Sequence, residues 1–165
     1  MGGVFLFFTQ TAHSEILWEK SLPQNEFNFC GLNSVLFTSF SSENWKVELG
    51  PILERAAKNK AELKFGNSES IDINAINSQV GLYVVLNRIK SGLFFLNIEA
   101  RIKTVAQNQQ QAFVSVWGKM NLIEVNADPE KELKKQIQIS IDEFLNHYFK
   151  TSSCEKTKPI FYLIQ

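Results

Sequence analysis

The sequence predicts an α+β domain, in which a largely antiparallel sheet of about five strands carries two amphipathic helices packed on one face. Residues 93–104 alternate between apolar and polar side chains, which is typical of a strand with one buried face. Residues 128–149 place Leu133, Ile137 and Ile141 four residues apart, which is typical of an amphipathic helix. The elements follow the order strand, helix, strand, three-strand meander, helix, and this order favours the α+β class.

The first third of the domain is predicted to contain one strand and one helix. Residues 15–31 have no clean period and include Pro23, so we expect them to lie extended on the domain. Residues 32–40 are rich in β-branched and aromatic side chains, which predicts a strand. A helix-start cluster at 41–44, followed by apolar residues from Val47 to Ala56 mostly at spacings of three and four, predicts an amphipathic helix that ends near Asn59. Pro51 suits only a first turn, so the alternative is a regular helix that begins nearer Gly50.

The central part of the chain is predicted to be mostly strand. A short strand at 61–65 leads into a polar loop over 66–79. The three strands of the meander are then predicted at 80–89, 93–104 and 111–125, with a tight turn at 90–92, a polar turn at 107–111 and a bend near Gly118.

The carboxyl-terminal part is predicted to contain the second helix and a last strand. Asp128 is a good N-cap residue, and Pro129 suits the first helical position. The helix should run to about Phe149. Residues 159–165 alternate in the manner of a strand, and we expect an open edge strand that is ready to accept a partner strand or a second copy.

Residues 1–14 resemble the end of a signal peptide. An apolar run at 4–8 is followed by small residues at the −3 and −1 positions of a cleavage before Glu15. The run is short and no Lys or Arg precedes it, and a start codon placed too far downstream explains both features. The alternative is an ordinary apolar amino-terminal tail. In either case residues 15–165 form a single α+β domain, which the signal-peptide interpretation places in the periplasm or outside the cell.

The composition disfavours several functional classes. The 17 basic and 17 acidic residues balance, whereas a nucleic-acid binder normally has a basic surface. No apolar run reaches the ~18 residues that a transmembrane helix requires. Two His and two Cys without ligand spacing disfavour a metal site. The chain has no Gly-rich phosphate loop and no Gly-x-Ser-x-Gly motif, and His147 has no evident catalytic partner. We therefore expect no catalytic residues and no cofactor.

The two cysteines form a candidate disulfide. Cys30 precedes the first predicted strand, and Cys154 follows the last helix. In an oxidising compartment two cysteines commonly pair, and a bridge here would tie those two regions together. The alternative is two unpaired thiols.

Alternation within the meander strands predicts a candidate partner surface on the sheet face opposite the helices. An exposed apolar patch there would suit a partner protein or an apolar ligand. The alternative, which we favour, is that residues 15–31 cover this face with Trp18, Phe27 and Phe29. The predicted surface residues are Tyr83, Val85, Phe113 and Trp117.

Three short segments carry a resemblance to a known family: Gly81-Leu82-Tyr83-Val84-Val85, Val116-Trp117-Gly118 and Asp142-Glu143-Phe144-Leu145-Asn146-His147-Tyr148-Phe149. The last contains an Asp/Glu-Phe-x-Asn-x-Tyr pattern on the predicted helix. With these segments, residues 80–150 resemble a family of small, secreted, bacterial α+β proteins. The resemblance implies an exported domain and assigns no catalytic residue. The chain departs from the family in the extension from Cys154 to Gln165.

The leading functional hypothesis is a non-enzymatic exported domain that acts in macromolecular binding or assembly, with a protein partner or a second copy of itself. One alternative is a carrier of an apolar small ligand held between sheet and helices. A second alternative is a cytosolic effector or enzyme subunit with an unrecognised site.

Overall fold

The computed structural model describes residues 14–22, 27–67, 69–71, 79–105, 108–154 and 156–164. The predicted signal peptide therefore lies outside the described residues, apart from Ser14. The described elements, in chain order, are β1 (Ser14–Ser21), β2 (Ser34–Ser41), α1 (Gly50–Ala56), β3 (Glu62–Gly66), β4 (Gln79–Lys90), β5 (Leu93–Val105), β6 (Gln111–Val125), α2 (Pro129–Ser152) and β7 (Ile160–Ile164).

All seven strands form one mixed sheet in the order β1-β6-β5-β4-β2-β7-β3. The β4, β5 and β6 strands form the predicted antiparallel meander, and β1 adds to it antiparallel to β6. On the other side, β2 is parallel to β4 and to β7, and β7 is parallel to β3. The prediction of a largely antiparallel sheet of about five strands is therefore wrong in strand number and direction.

The parallel half of the sheet follows from the helical connections. A parallel neighbour requires the chain to cross back to the same end of the sheet, usually through a helix. The α1 helix makes this crossing between β2 and β3, and α2 makes it between β6 and β7. Because β7 enters between β2 and β3, the prediction of an open edge at residues 159–165 is also wrong.

The described part of residues 15–31 contributes both to the edge of the sheet and to the core. Its first part belongs to β1, which pairs with β6 from Ser14↔Val125 to Ser21↔Lys119 and has a register shift after Ile16. Further along, Phe29 is fully buried against Phe144 and Tyr148 of α2. The segment is therefore an edge strand followed by a core anchor, rather than a cover over one face.

Both helices pack on the same face of the sheet, as predicted. The α2 helix buries Leu133, Ile137, Ile141 and Phe144 completely, which confirms the predicted apolar stripe. The Phe144 ring lies 5.3 Å from that of Trp117 on β6. The helix begins as expected, with the Asp128 carboxylate accepting a hydrogen bond from the Lys131 backbone N–H. No helix of the described residues is long and apolar enough to cross a membrane.

The core-facing side chains of β5 confirm the predicted alternation. Phe94, Leu96, Ile98 and Ala100 are buried, while the residues between them point the other way. The α1 helix lies over the other end of the same face, where Gly50 approaches Leu163 of β7.

Candidate functional site: the outer face of the sheet

The sheet face opposite α1 and α2 is the leading candidate site, and we call it the outer face. Its side chains alternate with those of the core, and no described helix covers it. The large apolar side chains on it include, by strand register, Trp18, Leu36, Phe40, Tyr83, Val85, Phe95, Phe113, Met120, Leu122 and Tyr162.

Three of these aromatic side chains are open to solvent, and two of them, Phe40 and Trp18, lie on opposite sides of the face. Phe40 is 62% exposed at the end of β2, and Trp18 is 46% exposed on β1. Tyr83 and Val85, between them on β4, are half-buried. Large apolar side chains that are grouped on one exposed surface are typical of binding sites, because the removal of apolar surface from water is favourable in free energy.

The structure places three of the four predicted surface residues on the outer face. Tyr83 and Val85 lie near its centre, and Phe113 lies towards its rim on β6. Trp117 instead lies on the opposite face, fully buried against Phe144. These assignments bring Tyr83 and Val85 together and separate them from Trp117.

A β-bulge explains the position of Trp117. Ala100 of β5 pairs with Trp117, whereas the next residue, Arg101, pairs with Ser115, so that Val116 is an extra residue in β6. One extra residue reverses the alternation of side chains beyond it. The alternation from Phe113 therefore does not carry through to Trp117.

The centre of the outer face holds a fixed polar and aromatic cluster. The guanidinium carbon of Arg101 lies 5.3 Å from the Tyr83 ring centroid, and Arg101 Nη2 donates to Glu99 Oε2 at 2.7 Å. The Ser115 hydroxyl donates to the other oxygen of the same carboxylate. The hydrogen bond to Glu99 raises the pKa of Arg101, so the guanidinium stays charged. Tyrosine and arginine are both enriched at protein interfaces, and here both are held in place.

Glycine 81 allows the Tyr83 ring to lie flat on the sheet. A Cβ atom at position 81 would lie 2.8 Å from atoms of the Tyr83 ring, closer than any ordinary contact. The absence of a side chain therefore lets the ring fold back over the strand and present its face to Arg101.

An unpaired hydroxyl lies on the same face. The Oγ1 atom of Thr38, on β2, is buried and has no hydrogen-bond partner. Thr38 is the β2 neighbour of Tyr83 on β4. The sequence gives no signal for this residue, because its burial depends on the pairing of Thr38 with Tyr83, which is 45 residues away along the chain.

The part of residues 15–31 that the structure describes covers little of the outer face. Leu22 is the exception, since its Cδ1 atom lies 3.2 Å from the position of a Cβ on Gly118. Phe27 and Phe29 lie on the helix side, where the Phe29 ring is 5.4 Å from that of Tyr148. The expectation that Trp18, Phe27 and Phe29 together cover the outer face is wrong.

The two cysteines are joined in the structure by a disulfide between Cys30 and Cys154, whose Cα atoms are 5.7 Å apart. The bridge links the segment before β2 to the segment after α2. Two hydrogen bonds support the same junction, one from the Phe29 N–H to Thr151 Oγ1 and one from the Tyr148 hydroxyl to the Leu32 carbonyl.

The described residues contain no group of three His, Cys, Asp or Glu side chains that could hold a metal ion. His147 Nε2 donates to the Phe27 carbonyl at 2.9 Å, so this imidazole holds the segment before β2 onto α2. This hydrogen bond gives His147 a structural role.

A second concave site lies at the carboxyl ends of β2 and β7. This crevice has a volume of about 660 Å³ and mixes hydroxyl, carboxylate, aromatic and aliphatic side chains. The carboxyl ends of parallel strands are where open sheets commonly bind ligands. Packed apolar side chains occupy the space between sheet and helices, whereas the crevice is open to a small molecule. Its lining includes Ser39, Ser41, Trp45, Glu48, Pro51 and Leu163.

No known protein family, curated protein or solved structure matches this chain. The resemblance of residues 80–150 to small exported bacterial domains stays a prediction.

Proposed function

We propose that this chain is a non-enzymatic, exported domain that binds another protein through the outer face. The observation that carries the proposal is a sheet face that no described helix covers, with exposed aromatic side chains, Phe40 and Trp18, on either side of Tyr83. The stacked Arg101 and Tyr83 pair gives this surface fixed polar groups as well as apolar area.

The Cys30–Cys154 disulfide supports the export part of the proposal. Structural disulfides persist in oxidising compartments and are rare in a reducing cytosol. The proposed mature chain begins near Glu15, and this start leaves almost the whole of β1 in place.

Mass spectrometry of the protein purified from its native host tests export. Thiols are alkylated before lysis, and the expected result is a start near Glu15 with both cysteines protected from alkylation. An intact Met1 together with two alkylated cysteines would contradict export without bearing on the binding face.

Site-specific photocrosslinking in the native host tests the binding face. A photoreactive phenylalanine analogue at Phe40 should crosslink to a discrete partner protein, because this side chain would be buried in the complex. The matched control is the same analogue at Ile139, which is 40% exposed on α2 and lies away from the outer face.

The expected product at Phe40 is lost when Tyr83→Ser removes the ring at the centre of the face. Equal crosslinking at both positions, or none at Phe40, would overturn the proposal.

The crevice favours a second candidate function, the binding of a small amphipathic molecule. Trp45 and Leu163 supply apolar contacts there, and Ser41 and Glu48 supply polar ones. The test is a titration with the aromatic sulfonate ANS. Ser39→Phe should fill the crevice and abolish binding, whereas Phe40→Ser, on the outer face, should leave it unchanged. The opposite pattern would assign the bound dye to the outer face.

A further inference from the structure

The β5–β6 hairpin extends beyond the rest of the sheet. The β4 strand accompanies β5 only as far as the Val80↔Ile102 pair. Beyond it, among the residues that the structure describes, β5 and β6 pair only with each other, from Lys103↔Phe113 to Val105↔Gln111. These paired ends form a two-stranded arm, residues 103–105 and 111–113, whose side chains include the 62% exposed Phe113.

One edge of this arm has no described partner. The β1 strand pairs with β6 from Lys119 to Val125, and the Leu22 N–H reaches back to the Gly118 carbonyl. Among the described residues, only β5 pairs with residues 111–116. Alternate residues of an antiparallel strand turn their N–H and C=O groups away from a given neighbour, so among the described residues this stretch presents an open hydrogen-bonding edge.

The composition of the open edge favours pairing with another strand. Residues 111–116 read Gln-Ala-Phe-Val-Ser-Val, with no charge, no Pro and no Gly. Natural edge strands are normally protected by charge, bulges or short length. The β3 edge is only five residues long and carries Glu62 and Lys64, and the β1 edge has a bulge and three charged residues. The β6 edge carries no charged residue over 111–116, and its bulge at Val116 lies at one end of this stretch.

We propose that residues 112–116 of β6 pair antiparallel with the same residues of a second copy, so that two sheets join into one across a twofold axis. A twofold axis brings a strand against itself in antiparallel order, which requires the segment to be complementary to itself. With the axis at Val114, each Phe113 lies opposite a Ser115, a large side chain beside a small one. Val114, which is 46% exposed, then lies against its own copy.

Charge favours a second copy over a charged peptide as the occupant. The paired segments bring no like charges together, and the chain has a formal net charge of +0, so two copies do not repel one another. The segment is short and the contact area is small, so the dimer should be weak and depend on concentration. This proposal concerns an edge, whereas the proposed function concerns a face, and either can fail alone.

Sedimentation of the full chain over a range of concentrations tests the pairing. The expected result is a monomer–dimer equilibrium that Val114→Lys weakens by about tenfold or more, because two like charges would face each other across the axis. The matched control is Val105→Lys, the same change at a position that is 68% exposed on β5. It should alter the dissociation constant little.

A cysteine at the axis gives an independent readout. Val114→Cys should link two copies by a disulfide on mild oxidation, and a reductant should reverse the link. Val105→Cys should not link, because β5 strands across the axis are separated by at least ~14 Å at a strand spacing of ~4.8 Å. A chain that stays monomeric at every concentration would overturn the proposal. A dimer that Val114→Lys and Val105→Lys weaken equally would overturn it too.

Discussion

At the scale of single residues, the buried Thr38 hydroxyl predicts an increase in stability on its removal. Leaving a polar group without a partner costs about 1–3 kcal/mol, so Thr38→Val should raise the free energy of unfolding by about 1 kcal/mol. Thr151→Val is the matched control, because the Thr151 hydroxyl accepts from the Phe29 N–H and donates to the His147 carbonyl. It should lower the free energy by about 1 kcal/mol. Urea denaturation of both variants measures the difference, and a loss of equal size in both would contradict the assignment.

The sequence predicts the facing of individual side chains where the strand is regular. Along β5 the period of two holds without interruption, so the predicted burial of Phe94 and Ile98 is confirmed. The bulge at Val116 adds one residue and turns Trp117 inward, and nothing in the composition of β6 marks where that residue is added. Two of the four candidate surface residues, Tyr83 and Val85, thus lie at the centre of the face as expected.

At the scale of elements, α2 makes the sharpest prediction. Ile141 is fully buried, so Ile141→Ala removes packed apolar atoms and should lower the free energy of unfolding by about 2–5 kcal/mol. Lys135, on the exposed side of the same helix, is the control, and Lys135→Ala should change it by less than about 0.5 kcal/mol. Chemical denaturation measures both. Losses of similar size would mean that the helix faces the sheet differently.

The disulfide predicts a difference between reducing and oxidising conditions. The bridge closes a loop with a sequence separation of 124 residues, and its loss should lower the free energy of unfolding by about 2–4 kcal/mol. Denaturation with and without reductant should show this loss in the natural chain. The double variant Cys30→Ser, Cys154→Ser should be equally destabilised in both conditions. A natural chain that is insensitive to reductant would contradict a stabilising role.

Elements with a strong period could be predicted, and edge elements could not. The α2 helix and the three meander strands appear close to their predicted bounds because each has one continuous buried face. The sequence of β1 has no clean period because its bulge interrupts the alternation and its position at the edge leaves Ile16 and Trp18 both exposed. Because few side chains of an edge strand are buried, its sequence need not alternate between apolar and polar residues.

At the scale of the whole molecule, local sequence patterns do not predict the order of the strands in the sheet. The last strand along the chain, β7, lies inside the sheet between β2 and β3. Its sequence alternates in the same way at an edge or in the interior, so residues 160–164 give no sign of which neighbours they take. The strand–helix–strand order of β2, α1 and β3 did contain the signal for parallel pairing, since a helical crossover returns the chain to the same end of the sheet.

The interior position of β7 predicts that the sheet depends on the carboxyl end of the chain. A chain that ends at Ser153 lacks β7, so β3 loses its only described strand neighbour and Phe37 loses contact with the fully buried Phe161, whose ring lies 5.1 Å away. We expect this chain to have no cooperative unfolding transition by circular dichroism, because an apolar strand is removed from the core.

Two further variants separate the loss of β7 from the loss of the disulfide, which the truncation also removes. The double variant Cys30→Ser, Cys154→Ser keeps β7 and should retain a single transition at lower denaturant. Phe161→Ala keeps the disulfide and should lower the free energy of unfolding by about 3–5 kcal/mol, since the ring is buried among Phe37, Tyr148 and Phe149. If the truncated chain unfolded as cooperatively as the double variant, β7 would be dispensable and the strand order would have to be redrawn with β7 at an edge.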